Sequence, residues 1–111
     1  MRIVSQIAPG VCSFNTAVTA ETEDSENVTF EFVSDCETIK ELERQIKEIS
    51  PVNAIKALGR EENPIMLKAR KLLQVKGCCE ACVVPIGTVK IMQVAANLAL
   101  PKDVSLTITR E

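Results

Sequence analysis

Five cysteines are the residues of this chain whose chemistry and spacing point most clearly to a functional site. They are Cys12, Cys36, Cys78, Cys79 and Cys82. The chain contains no His, Trp or Tyr, so soft-metal or redox chemistry would fall mainly to thiolates. Because five is an odd number, a closed set of disulfides is not the natural interpretation.

Three of the thiols lie in one short segment, Gly77-Cys78-Cys79-Glu80-Ala81-Cys82. Cys79 and Cys82 form a C-x-x-C pair, a spacing that lets two sulfurs bind one metal ion. One such pair is half of the usual zinc pattern, so the remaining ligands would come from elsewhere in the chain. Glu80 could act as a base or an oxygen ligand, although a solvated loop acid is the more frequent role.

Length and composition favour a single aliphatic domain over residues 1–111. Hydrophobic residues make up 46% of the 111 positions and aromatic residues only 3%. A formal net charge of −2 without a basic stripe is unfavourable for nucleic-acid binding. No apolar run reaches the length of a membrane span, and the first residues lack the apolar stretch of a signal peptide. We therefore expect a cytoplasmic protein, in which thiols are kept reduced.

The hydrophobic periodicity predicts an α+β fold. Residues 2–7 are predicted to form a short strand that is stopped by Ala8-Pro9-Gly10, and period-2 alternation predicts strands over residues 11–21, 28–33 and 104–109. A capping box, Ser34-Asp35-Cys36-Glu37, predicts the start of the first helix at Ser34. Proline and N-cap signals predict further helices over 51–59, from Asn63-Pro64 to about 74, and after Pro85. This order predicts an antiparallel sheet, three N-terminal strands plus a C-terminal strand, with helices on one face.

The register of the second and third strands predicts that Cys12 and Cys36 meet. Even-numbered residues are apolar on both strands, so even positions must oppose even positions. A turn centred on Asp24 pairs Val18 with Phe30 and Cys12 with Cys36; the next allowed register shifts this by one pair. Their α-carbons should then lie about 4.5–5.5 Å apart when opposed, or about 7–8 Å apart when diagonal.

Two predicted helix starts lie beside these thiols. Cys36 falls in the first turn of one helix, and Cys82 comes three residues before Pro85. The helix dipole would lower the pKa of such a thiol and favour the thiolate or a bound metal. We therefore predict a metal site formed by Cys12, Cys36, Cys79 and Cys82, with Cys78 as a spare or exchange ligand.

The same elements resemble the scaffold proteins of iron–sulfur cluster assembly, the family of IscU and the N-terminal domain of NifU. Cys12 after Gly10-Val11, Cys36 after Ser34-Asp35, and Cys82 or a neighbouring thiol match the three cysteines of that family. The resemblance implies a zinc or iron–sulfur cluster site, and a sulfur donor or iron–sulfur acceptor protein as partner. The chain departs from the pattern in having Ser13-Phe14 after Cys12 and no His. The chain also resembles a small uncharacterised archaeal and bacterial family that has a Cys-x-x-Pro segment.

Two other functions agree with the same residues. In a thiol redox or sulfur-transfer protein, Cys79 or Cys82 would attack or carry sulfur and its neighbour would resolve the product. In a small interaction domain, the cysteines would be structural, since free Cys often fills core space. Catalysis is the less favoured interpretation, and the chain is expected to be a monomer or a homodimer.

Overall fold

The chain forms one antiparallel sheet with helices packed on one of its faces, which confirms the α+β prediction. The computed structural model describes residues 1–59 and 62–111, and for 75–78 it describes the backbone alone. The strands are β1 (Arg2–Ile7), β2 (Thr16–Glu21), β3 (Asn27–Ser34) and β4 (Val52–Asn53). The helices are α1 (Glu37–Ile49), α2 (Ala54–Ala57), α3 (Pro64–Leu73), a 3₁₀ helix (Gln74–Ala81) and α4 (Val84–Ala95).

The sheet has the order β1-β2-β3-β4 with every neighbour antiparallel. Even positions do oppose even positions between β2 and β3, but Val18 faces Phe32, one pair away from the register centred on Asp24. The Asp24 carboxylate accepts hydrogen bonds from the amides of Glu26 and Asn27, at 2.9 and 2.8 Å. These bonds stabilise a longer turn, so the strands pair in the second of the two allowed registers.

The core lies between the sheet and the helices and is almost entirely aliphatic. α1 packs on β3, α4 packs on β1 and β2, and α3 contacts both of those helices. The largest fully buried apolar side chains are those of Val18, Val28, Leu42, Ile46, Ile65, Val84, Pro85 and Met92. Across residues 1–59 and 62–111, none of the helices combines the length and the apolar character needed to cross a membrane.

Two predicted strands are corrected by the structure. β2 begins at Thr16 rather than at residue 11, because Gly10 and Ser13 adopt positive φ values of 100° and 59° that strands do not use. Residues 104–109 form no strand, and the fourth strand is Val52–Asn53, which pairs with Asn27 and Val28. Alternation marks a segment that can pair, but a strand also needs a neighbouring edge.

The predicted helix boundaries are partly confirmed. Asn63 caps α3 by accepting bonds from the Ile65 and Met66 amides, and Pro85 lies in the first turn of α4. The predicted capping box is wrong, because Ser34 ends β3 and Cys36 is the N-cap of α1. The predicted helix over 51–59 is replaced by β4 followed by the single turn of α2.

Candidate thiolate site

The sheet brings Cys12 and Cys36 to the same end of the molecule. Ile7 of β1 pairs with Thr16 of β2, and Thr16 pairs with Ser34 of β3. The loop of residues 8–15, which carries Cys12, and the segment after Ser34, which carries Cys36, therefore leave the sheet together. Neither cysteine lies in a strand, so the prediction that they oppose each other as strand partners is wrong.

A short chain of hydrogen bonds connects these two segments. The Thr16 hydroxyl donates to the Phe14 carbonyl at 3.1 Å and shares a bond with the Ser34 hydroxyl at 2.9 Å. The Cys36 amide donates to the same Ser34 hydroxyl at 3.1 Å. Because Thr16 is buried, these bonds are shielded from competing water. They fix the backbone shortly after Cys12, at Phe14 and Thr16, and shortly before Cys36, at Ser34.

The C-x-x-C pair forms a closed turn. The Cys82 amide donates to the Cys79 carbonyl at 3.0 Å, where the 3₁₀ helix ends. Both side chains are half-buried and pack against the core. The side chain of Cys78 lies outside the part of the chain that the structure describes. The turn presents two thiols from one short segment, as the spacing predicts.

Close packing of α4 on β1 positions this turn. A Cβ atom on Gly87 would lie only 2.6 Å from Cδ1 of Ile7, so glycine lets the helix approach the end of β1. Cys82 precedes Gly87 by little more than one helical turn. The contact therefore holds Cys82 near the end of the sheet where the segments of Cys12 and Cys36 emerge. We call the region of Cys12, Cys36, Cys79 and Cys82 the thiol end.

Electrostatic coupling among the thiols agrees with this placement. Burial raises the pKa of the Cys82 thiol, and negative charge on Cys12, Cys36 or Cys79 would raise it further. A hydrogen bond from the Val84 amide, in the first turn of α4, acts in the opposite direction. The prediction that the helix start lowers the pKa of Cys82 is therefore wrong, because desolvation outweighs one amide bond.

The four thiols share a region without forming a ready coordination shell. Cys12 is exposed, whereas Cys36, Cys79 and Cys82 are half-buried. Among the side chains that the structure describes, no three from His, Cys, Asp and Glu form a group that could hold a metal ion. The donor chemistry suits a thiophilic metal, but the sulfurs would have to move together to bind one.

The comparisons with known proteins identify a family for almost the whole chain. Residues 3–108 match a family of unknown function, DUF6951. The chain belongs to the DUF6951 family. The DUF6951 match includes all five cysteines and residues 101–108 near the C-terminus. No curated protein and no solved structure matches the chain.

Sequence reasoning missed the residues that position the thiols. Thr16 occupies an even, inward-facing place in the β2 alternation, and a hydroxyl at such a place signals a buried hydrogen bond. Ser34 was assigned to a helix cap, although its hydroxyl connects β2 to the Cys36 amide. Nothing in the local sequence indicates that Gly87 contacts Ile7. Glu80 is exposed, as expected for a solvated acid.

Proposed function

We propose that this DUF6951 chain is a cysteine-rich metal-binding protein that holds zinc or an iron–sulfur cluster at the thiol end. The observation that carries the proposal is the meeting of separate segments at one end of the sheet. The β1–β2 loop supplies Cys12, the start of α1 supplies Cys36, and the turn before α4 supplies Cys79 and Cys82. Four thiols from three segments equal the ligand number of a tetrahedral site, and they would bind one ion once the sulfurs move together.

The electrostatics of the thiols support the same function. Burial first, and then like charges on neighbouring sulfurs, oppose ionisation of Cys82, so negative charge accumulates there only at a cost in free energy. A bound divalent cation would offset that repulsion and the desolvation of the thiolate together. Because the chain has no His, thiolates are its soft ligands. Binding would release protons from the thiols, so affinity should fall as the pH is lowered.

The loop of residues 8–15 carries the exposed thiol of the site. Cys12 is exposed, while the other three thiols already pack against the core. Metal binding would draw this loop inward and order it. Cys78 would be a spare or exchange ligand, which suits a protein that passes its cargo on.

The likeness to IscU and the N-terminal domain of NifU supports a scaffold-like role in this proposal. Such a role implies a cytoplasmic protein that meets a sulfur donor or an iron–sulfur acceptor. The metal or cluster would then be cargo held for transfer. A purely structural zinc ion would use the same four thiols.

A thiol redox or sulfur-transfer function is the second candidate. The closed turn between Cys79 and Cys82 favours it, because two thiols in one turn can attack and resolve. The raised pKa of Cys82 disfavours it, since the thiolate is the nucleophile. Packing of Cys36, Cys79 and Cys82 against the core favours the third candidate, an interaction domain with structural cysteines.

Metal content of single variants distinguishes these functions. Protein reconstituted without oxygen, with zinc or with iron and sulfide, would be assayed for metal per chain by elemental analysis. Cys12→Ala, Cys36→Ala and Cys82→Ala should each lose most of the bound metal. Ser13→Ala, in the same exposed loop as Cys12, is the matched control and should retain it.

Each candidate function predicts a different pattern of loss. Full metal retention in both Cys12→Ala and Cys36→Ala would contradict the convergent site. Disulfide exchange activity that needs Cys79 and Cys82 but not Cys12 would favour the redox function. Absence of metal and cluster in the wild type, together with ordinary thiol reactivity, would favour structural cysteines.

A further inference from the structure

The C-terminal arm, residues 101–111, has a strand-forming sequence but pairs with no strand among the residues that the structure describes. Val104, Leu106 and Ile108 are 66%, 75% and 87% exposed, and they alternate with Ser and Thr. This alternation is typical of a strand with one buried face. The DUF6951 match runs to residue 108, so the arm belongs to the family domain. We therefore expect the apolar face of the arm to be buried against another surface.

The two edges of the sheet differ in how they are protected. The outer edge of β3 is paired with β4 at Asn27 and Val28. Farther along it, the Phe32 amide donates to the Glu43 carboxylate at 2.7 Å. β1 pairs with β2 alone within the described residues. Edges of this kind are usually blocked in natural sheets, so an open β1 suggests a strand partner.

The hydrogen-bond pattern shows which groups of β1 point outward. Met1 exchanges both backbone bonds with Thr22, at 2.7 and 3.0 Å. Because such pairs alternate along antiparallel strands, the backbone groups of Arg2, Val4 and Gln6 face away from β2. They form an open ladder edge that another strand can join.

An apolar groove lies beside this edge. It has a volume of about 470 Å³ and is lined by Met1, Ile3, Val94, Leu98, Leu100 and Pro101, among others. The groove is on the helix side of β1, since Ile3 packs against the core. A strand added to β1 would place every second side chain over it. The arm offers three apolar side chains with that spacing.

We propose that two copies of this chain form a two-fold dimer in which each C-terminal arm adds a strand to the open edge of β1 in the other copy. Residues 102–109 would span about 26 Å when extended, enough to cover the six residues of β1. Val104, Leu106 and Ile108 would cover the groove, and Ser105 and Thr107 would face solvent. Reciprocal exchange closes the assembly, so it ends at two copies.

The path of the arm favours the second copy over its own chain. At the point where the arm begins, the Lys102 amide bonds to the Leu100 carbonyl at 2.9 Å, which turns the chain. Pro101 lines the groove, but residues 102–111 are exposed in the single chain and none of them lines it, so this part of the arm does not cover its own groove. The arm that covers the groove would come from a partner chain.

The oligomeric state tests the proposal by light scattering after size exclusion, over a range of protein concentrations. Reductant and chelator in the buffer prevent disulfide-linked and metal-bridged dimers, so the result is independent of the thiol end. The wild type should have twice the mass of one chain, and a chain ending at Leu100 should be monomeric. Leu106→Lys should raise the dissociation constant at least about tenfold by bringing a charge to the apolar groove. Thr107→Lys, on the opposite face, is the matched control and should leave the dimer intact.

Hydrogen exchange locates the contact. Amides of Arg2, Val4 and Gln6 should be protected in the wild type and exchange rapidly in the truncated chain. A monomeric wild type, a dimeric truncated chain, or equal effects of the two lysine variants would each overturn the proposal. A dimer in which those three amides exchange freely would also overturn it, because the arm would then not pair with β1.

Discussion

The two ends of the sheet are built in opposite ways. At the turn between β2 and β3, the Asp24 carboxylate accepts bonds from the Glu26 and Asn27 amides, the Asn27 side chain and the Thr22 hydroxyl. All of these partners lie within three residues of Asp24. The thiol end instead combines segments that are far apart in the sequence. The hydrogen bonds to the Asp24 carboxylate are therefore local, although Asn97 and Ala54 also bond to the turn at Ser25 and Glu26. The thiol end depends on tertiary packing throughout.

The two ends also differ in how they treat negative charge. Hydrogen bonds to the Asp24 carboxylate hold the pKa of that group well below its usual range. Burial and neighbouring thiols raise the pKa of Cys82. Hydrogen bonds at the turn end stabilise an anion, whereas burial and neighbouring thiols oppose one at Cys82. A bound cation would stabilise negative charge on the sulfurs, as the hydrogen bonds stabilise it on Asp24. The following predictions test this contrast between the two ends.

The largest expected effect is stabilisation of the thiol end by zinc. Zinc at about 100 times its dissociation constant should stabilise the wild type by about 2.7 kcal/mol, because it binds the folded state. For a chain of this size the melting temperature should rise by roughly 10 °C. Cys36→Ala should remove this rise. Differential scanning calorimetry of metal-free and zinc-loaded samples measures it, and an unchanged melting temperature for zinc-bound wild type would contradict a site coupled to folding.

An intermediate effect is expected from matched threonine substitutions at the two ends. Thr16→Val removes the hydroxyl that joins Phe14 and Ser34, and should cost about 1–2 kcal/mol of folding stability. It should also weaken zinc binding about tenfold, equivalent to about 1.4 kcal/mol, because the Cys12 loop is released. Thr22→Val removes the bond to Asp24 and should leave zinc affinity unchanged. Equal zinc affinities in the two variants, measured by competition with a chelating dye, would show that the hydroxyls do not position the thiols.

The smallest effect concerns pH at the turn end. Since folding lowers the pKa of Asp24, its carboxylate stabilises the protein fully above the ordinary value of 3.8 and loses this contribution as the pH falls through the lower folded value. Asp24→Ala should therefore be less stable than wild type at neutral pH, with the gap closing in acid. Asp24→Asn keeps an acceptor oxygen and should lie between them. Urea unfolding at several pH values measures the gap, and a gap independent of pH would contradict this account of the turn.

Local patterns made much of the fold predictable. The breaker Ala8-Pro9-Gly10 marked the end of β1, and period-2 alternation located β3 and the even-facing register. N-cap and proline signals located α3 and α4. These features depend on neighbouring residues in the sequence. The prediction of a C-terminal strand was wrong, because the alternation of residues 104–109 does not show whether the edge of a sheet lies beside them.

The candidate site was predictable only in outline. The parity of β2 and β3 brought Cys12 and Cys36 to one end, and the C-x-x-C spacing predicted the turn of Cys79 and Cys82. The contact between Gly87 and Ile7, which positions that turn, joins distant parts of the chain and leaves no local signature. The pKa of Cys82 was predicted in the wrong direction, because its burial is a tertiary property that the helix-start argument does not contain.

X-ray absorption at the zinc edge tests the convergent site most directly, because it counts the atoms bound to the metal. The account predicts four sulfur neighbours at about 2.3 Å in the wild type, the usual zinc–thiolate distance. It predicts one sulfur fewer in any zinc retained when Cys12→Ala is combined with Cys78→Ala, which removes the spare ligand. Two sulfurs or fewer in the wild type, or a sulfur count unchanged in this double variant, would contradict a site shared by the β1–β2 loop, α1 and the turn before α4.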